Sequence, residues 1–553
     1  MVGQDFDLPL QQQGAQLGQG ILPFDWSGQV GISHHFGFSD LGEDLEVGAL
    51  ILDGSIMSWP YRTAIPFTLN EDISKGNHSK IVYRWGDYSL NEFGVDLITA
   101  DNKSTSRLTG FKRNFDSQLM GPNQYTAGTI QQNYLFDYRI QPDSTLHWTV
   151  GVGYFKTNQS LPVLHLGSWS RGASLKDEVL GVGVVREKTT PSRYSRWQLA
   201  TSGQRFALIS TTDVLSWKAD ILGYRLRYSS EKTLSQRSSL LVSTDVDFTT
   251  IDGNGFTNPT TITAEFLSGI KRDNQQRILL LAGLGFVGPD NYGLNLTSSV
   301  TASVRTFMFS VSLHTWLAAL PPVMFGSNMG NIASDKFATS QRRTLLKLDI
   351  EKKIDDRAQQ VTFFASAANP FYYFESLSND TINLVSSRTD ILTGISWSIK
   401  QRIFREWYLK LRGTSFTGNP IGWGNGIQHE GYVSLEAREQ FFRGNLDIQS
   451  RLWLNYWSGR NDYVWDPLQN IGYQKAGTVY NPEATAILNA QFTAIISGFE
   501  LSYTIVNVFF AARSLVESVL GNFQDEEITL TPSPYYLPPT RMVYLSIRWQ
   551  FQD

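Results

Sequence analysis

From Arg541 to Phe551 the chain reads RMVYLSIRWQF, with apolar and polar side chains alternating. Successive side chains of a strand point to opposite faces, so Val543, Leu545, Ile547, Trp549 and Phe551 share one face. Tyr544, Ser546, Arg548 and Gln550 share the other. The code recurs upstream. Leu446, Ile448, Leu452 and Leu454 oppose Asp447, Gln449, Arg451 and Asn455; Phe499, Leu501 and Tyr503 oppose Glu500, Ser502 and Thr504. Trp407, Leu409 and Leu411 oppose Tyr408, Lys410 and Arg412, and Leu346, Leu348 and Ile350 oppose Lys347, Asp349 and Glu351. These segments run roughly 9–14 residues, beyond the ~5–6 of a globular strand and suited to tilted strands crossing a membrane. A soluble sandwich or β-helix alternates too. Here, however, charged residues recur on the polar face of strand after strand, as a wet lumen requires.

The connections also alternate. Long ones fall at 513–539, 461–481, 416–427, 371–385 and 317–340. Tight ones fall at Ser497-Gly498, Arg443-Gly444-Asn445, near Lys400-Gln401 and at Asp355-Asp356-Arg357. Short turns at one rim and long loops at the other are the habit of bacterial outer-membrane barrels. Toward the N-terminus, Asp273-Asn274, Gln141-Pro142-Asp143 and Asp101-Asn102 continue the turn rim, and Asp252-Gly253-Asn254-Gly255 the loop rim. Two strands are placed in 157–212. The pattern predicts an all-β fold, a transmembrane antiparallel up-and-down barrel of about 22 strands beginning near Lys80 and filling 79–553. Residues 1–78 fit it poorly. They read as a small plug, a periplasmic extension or one more hairpin.

Composition narrows the class further. Among 553 residues, Lys and Arg number 47 against 51 acids, so charge gives no ground for nucleic-acid binding. Aromatics are 13% of the chain, as expected where side chains straddle a membrane boundary. Cysteine is absent, which excludes thiol catalysis, thiolate metal sites and disulfides. The longest apolar run, Ile278 to Gly288, is far short of the ~20 residues of a spanning helix, so any crossing is by strands. The first twenty residues carry no basic and apolar signal regions, so the chain reads as a mature protein whose signal peptide is gone.

The ending SPYYLPPTRMVYLSIRWQF (533–551) resembles the last strand of TonB-dependent receptor barrels, and TIVNVFF (504–510) is similar to the strand before it. The likeness is specific to the C-terminal fifty residues and architectural elsewhere. It implies that Tyr544, Trp549 and Phe551 form the signal read by the barrel-insertion machinery. No convincing TonB box is found, and the space before the first strand is too small for a full receptor plug. The chain is therefore also similar to the plugless or short-plug, porin-like relatives of these receptors.

Inward-facing charge is the main candidate for chemistry: Arg548, Arg451, Arg438, Arg412, Lys410 and Lys347, with Glu436, Asp447, Asp349, Glu351 and Glu500. These residues either hydrate the lumen and dock a plug through ion pairs, or set a transverse field that selects solutes. Tyr372, Tyr373, Tyr456, Trp457, Tyr535 and Tyr536 read as girdle residues, while Tyr463 and Trp465 are outer-loop candidates for stacking on a ligand. The seven His residues, including adjacent His34 and His35, lack metal-ligand spacing, and no G-x-S-x-G elbow selects a catalytic serine. Asp355-Asp356 and Asp525-Glu526-Glu527 read as solvated acids. Neither enzyme activity, cofactor nor metal is expected. The expected function is an outer-membrane transport barrel that moves or binds small solutes; the alternative is a structural or secretion-associated scaffold for partner subunits. Expected partners are outer-membrane lipid and lipopolysaccharide, the assembly machinery, and periplasmic or surface proteins, with no nucleic acid.

Overall fold

The computed structural model describes residues 75–552, apart from 88, 119–125, 161–173, 210–216, 254–259, 274–275, 289–290, 320–331, 334–339, 355–356, 377–381, 388, 418–427, 459–462, 467–470, 476–484, 507 and 509–541. Within these, a 22-stranded antiparallel sheet closes on itself. Strands run from Gly76–Gly86, which pairs with Leu90–Ala100, to Met542–Gln552, which pairs with Phe499–Val506. The first and last strands complete the circle in continuous register from His78 opposite Gln552 to Gly86 opposite Tyr544. At this seam the backbone N–H of Asp87 donates to the carbonyl of Val543, and the N–H of Val543 donates to the Asp87 carboxylate, both at 2.8 Å. Closure removes the free edges that an open sheet could not satisfy in lipid.

Alternation determines which way each residue faces. On the outward face lie Leu284 and Trp549, 60% and 53% exposed, with Leu199, Leu222, Phe266, Leu452 and Tyr503. The inward face of the barrel buries Tyr544, Arg548, Ser502, Thr504, Asp247 and Asn295. An apolar outer surface suits hydrocarbon, and a polar inner one suits water or a polar occupant. The inner wall also holds Leu345, Phe364 and Leu392, all buried. Aromatics pack along the outward face as pairs: Trp197 with Tyr228, Phe307 with Phe309, and Trp549 edge-on to Phe551 at 5.3 Å.

On one rim every connection is two to four residues long, as at Asp101–Lys103, Arg305–Thr306 and Ser497–Gly498. On the other rim connections extend up to 507–541. The expected alternation has two exceptions there, 87–89 and 288–290, which are tight on the loop side. Gly288 makes the second possible, with a φ of 65° and its N–H bonded to the carbonyl of Ile262.

Three sequence expectations need correction. The turn placed near Lys400-Gln401 lies at Arg405-Glu406, because Asp390–Phe404 continues in register past Lys400 opposite Lys410. Arg405 takes a φ of 41° without glycine, and the Arg402 guanidinium bonds its carbonyl and the Glu406 carboxylate, so no Gly or Asn marks the spot. The first strand starts at Gly76 rather than near Lys80. Strands also exceed the expected length, reaching 19 residues in Trp217–Ser235. The two strands expected in 157–212 are Ser174–Thr190 and Arg193–Ile209, meeting at Pro191-Ser192.

A second sheet has no counterpart in the sequence reading. Three long loops on the outer rim contribute Ile332–Ala333, Phe371–Ser376, Ile382–Ser387, Tyr463–Asp466 and Ile471–Lys475 to a five-stranded sheet. Its centre is a parallel pairing of Phe371–Ser376 with Ile471–Lys475, which joins two loops about 100 residues apart along the chain.

Candidate functional site

Neighbouring strands place their inward charges side by side. Lys410, Ser434, Trp453 and Asn489 occupy one row across four strands, since Lys410 pairs with Ser434, Ser434 with Trp453 and Trp453 with Asn489. Glu436 sits one inward position along from Ser434. Its Oε1 is 2.8 Å from Lys410 Nζ and 3.6 Å from Arg451 Nε, and it accepts a hydrogen bond from the Ser434 hydroxyl at 3.0 Å. Arg451 donates to the Tyr432 hydroxyl at 2.5 Å and lies 4.6 Å from the centre of the Trp453 ring. Arg412 covers the Tyr432 ring at 5.7 Å. Five expected lumen residues, Lys410, Arg412, Glu436, Arg451 and Asp447, thus belong to one stretch of wall. Arg438 bonds the buried Asp447 through its Nε at 2.6 Å.

The remaining predicted charges pair separately. Arg548 meets Glu500 at 3.2 Å, with side chains only 7% and 13% exposed. Lys347 meets Asp349 at 3.2 Å, and Asp349 accepts from Thr362 at 2.6 Å. Glu351 shares their inward face, half-buried.

Much of the inward charge was missed by sequence reasoning. Arg84 and Glu92, 2% and 1% exposed, pair at 2.9 Å, and Arg84 stacks 4.7 Å over the Tyr544 ring at the seam. Arg107 grips Asp96 with two nitrogens, at 2.8 and 3.0 Å. Arg225 and Arg227 share Asp245, with Asp247 beside them, and Lys271 reaches Glu231 at 3.1 Å. Glu265 accepts from Asn295 at 2.7 Å. The signal was present: Arg225-Leu226-Arg227 and Asp245-Val246-Asp247 are period-two charge patterns.

Of the residues implied to signal insertion, Tyr544 points inward and Trp549 and Phe551 outward. Tyr463 and Trp465 lie on the outer sheet, opposite Gln474 and Gly472. Tyr535, Tyr536, His34, His35, His165 and Asp525 to Glu527 fall outside the described residues. Of the other histidines, His147 lies 3.3 Å from Arg139, His314 3.4 Å from Thr297 and His429 3.1 Å from Ser415. Among the described residues no group of His, Asp and Glu could hold a metal ion.

A closed barrel that is apolar outside and charged within defines a bacterial outer-membrane β-barrel. Comparison with solved structures finds the same barrel architecture in an iron transporter and in siderophore receptors. The FrpB iron transporter from Neisseria meningitidis (F5-1 variant) superposes with a TM-score of 0.67 at 10% identity, over 87% of this chain and 83% of that one. The ferric enterobactin receptor PfeA from Pseudomonas aeruginosa gives 0.67 at 8% identity, over 86% and 81%. A structure of the FpvAI–pyocin S2 complex gives 0.65 at 10% identity, over 87% and 71%. At such identities the likeness is one of fold. No family model matches the sequence, and no curated protein does.

Proposed function

We propose that this chain is an outer-membrane transport barrel that moves or binds a small solute, its passage tuned by the charged wall of the lumen. The observation that carries this reading is the paired charge around the inner face, from Arg84–Glu92 through Arg225–Asp245 and Lys410–Glu436–Arg451 to Arg548–Glu500. Charged groups facing across a lumen create a transverse field that a passing ion or dipole must traverse. A barrel of this strand number is wide enough for a channel or an occupant. Lipid and lipopolysaccharide contact the outward face, and the C-terminal strand with Trp549 and Phe551 is what the insertion machinery reads. The fold neighbours include an iron transporter and a siderophore receptor, which supports transport without naming this chain's solute.

Single-channel conductance in a planar bilayer, with and without residues 1–74, tests this reading. Steady current from the intact chain identifies an open pore, and current only after deletion makes the N-terminal segment its plug. Silence in both overturns free conduction. It then favours the second reading, a scaffold for partner proteins, for which the five-stranded outer sheet offers a ready platform.

A further inference from the structure

The wall of the barrel parts at one place. Asn291–Val304 and Phe307–Ala319 pair from Val304 opposite Phe307 up to Leu296 opposite Thr315, and there their ladder ends. Both strands nevertheless continue. Asn291 to Asn295 stays paired with Gly283 to Val287 on its far side, and Trp316 to Ala319 with Ser340 to Arg343 on the other. Elsewhere among the described residues of the barrel, a ladder stops within a residue of the end of one of its strands. Asn295 stands ten residues above the turn at Arg305–Thr306, ~25 Å at the usual strand tilt, which is the height of the apolar band. The cleft therefore opens where outer-leaflet hydrocarbon meets head groups.

We propose that this cleft is a side port, through which a single-chain amphiphile with an anionic head moves between the lumen and the outer leaflet. Side chains, in place of backbone, stitch it shut. Asn295 Oδ1 accepts the N–H of Leu317 at 3.1 Å, while the Asn295 amide nitrogen donates to Glu265 at 2.7 Å. Arg342, on Ser340–Ile354, reaches past the parted strand to donate to the Leu294 carbonyl. Two facing glycines make room for these stitches, since a Cβ at Gly293 would meet the Arg342 guanidinium at 2.6 Å and one at Gly285 the Asn295 amide at 2.5 Å. Among the described residues Arg342 has no carboxylate partner, only this neutral carbonyl. A charge-assisted hydrogen bond is about twice as strong as a neutral one, so an arriving anion displaces the carbonyl and releases the stitch. The lips suit an alkyl chain. Tyr292, Leu294 and Leu284 are 82%, 70% and 60% exposed on the outward face. A cleft at a single strand boundary admits one chain more readily than the several of a membrane lipid. The inference rests on the transport reading and adds to it a class of solute and a route.

The absence of cysteine gives a clean background for the test. Leu294→Cys with Leu317→Cys closes the cleft, because these positions follow in register from Leu296 opposite Thr315. Ser298→Cys with Leu313→Cys joins the intact ladder below and leaves the cleft open. The full chain is inserted into vesicles holding trapped albumin, and a pyrene-labelled alkyl sulfonate is added outside. Its arrival at the albumin is expected to run several-fold faster than in protein-free vesicles. Oxidising the Leu294–Leu317 pair returns transfer to the protein-free rate and reduction restores it, whereas the Ser298–Leu313 pair changes nothing. A short bis-maleimide joins the upper pair if it does not oxidise. A pyrene-labelled alkyl trimethylammonium of equal chain length lags the sulfonate several-fold, and Arg342→Gln abolishes that difference. Transfer that survives closure, or equal rates for the two head groups with the intact chain, overturns the proposal. Salt current through the intact chain without amphiphile transfer overturns the port and leaves the transport reading standing. Neither current nor transfer, in a barrel whose heat-dependent mobility shows it folded, overturns both.

Discussion

Arg548 and Glu500 face each other from adjacent strands in nearly dry surroundings, and their worth depends on being kept together. Arg548→Ala strands a buried carboxylate and is expected to cost ~3–5 kcal/mol in equilibrium unfolding from liposomes. The exchange Arg548→Glu with Glu500→Arg recovers most of that loss if the pair acts as a unit. On the outward face the penalty has a different origin. Leu452, 43% exposed toward lipid, becomes a charge in hydrocarbon as Leu452→Arg, with an expected cost of ~2–4 kcal/mol near the midplane. In the same assay Gln449→Arg, on the inward face, folds almost normally. Outside the membrane, the backbone N–H groups of Lys103 and Ser104 donate to the Asp101 carboxylate, each at 2.7 Å, and hold its pKa below the usual range. A depressed folded-state pKa stabilises the fold above the unfolded-state value, and that contribution fades as pH falls through the folded one. The Asp101→Asn variant is expected to lose this part of the acid dependence of unfolding; an unchanged profile refutes the assignment.

Single strands differ in how plainly they announce themselves. In the C-terminal half, Leu446–Trp457 and Met542–Gln552 set leucine and tryptophan against arginine and aspartate, so contrast between faces is strong and the register is evident from sequence. The strand Gln276–Val287 blurs that contrast, because Leu279 and Leu281 point inward while Leu280 and Leu284 point outward. Asn291–Val304 turns Asn295, Thr297, Ser299 and Thr301 inward, a polar face without charge. Strands were legible there as strands, and their inward residues were not legible as a site. Ion pairs such as Arg107–Asp96 depend on which strands lie side by side and in what register, which no single segment encodes. The outer sheet was hidden for a related reason. Its strands are two to six residues long, and the pairing of Phe371–Ser376 with Ile471–Lys475 links loops remote in sequence. The turn at Arg405-Glu406 escaped because its positive φ is carried by arginine rather than glycine or asparagine.

For the molecule as a whole, the seam is the contact that makes a sheet into a barrel. Tyr83 stands opposite Ile547 across it. In the cysteine-free chain, Tyr83→Cys with Ile547→Cys is expected to form a disulfide that keeps the oxidised barrel at its folded gel mobility at temperatures that unfold the reduced form. Failure to crosslink in a folded sample contradicts the register. The seam also has a bearing on biogenesis. Its two strands are the first and last barrel segments to leave the ribosome, so every other strand pair can form before this one. The entropic cost of joining such distant ends grows only slowly with length, by about 0.6 kcal/mol for each doubling. Waiting, more than free energy, is therefore the difficulty. A chain halted before Met542 leaves the outer edges of Gly76–Gly86 and Phe499–Val506 naked, and each unsatisfied peptide group in hydrocarbon costs several kcal/mol. A nonsense mutation at the Met542 codon is thus expected to behave like a null allele, with the unclosed product cleared by periplasmic proteases.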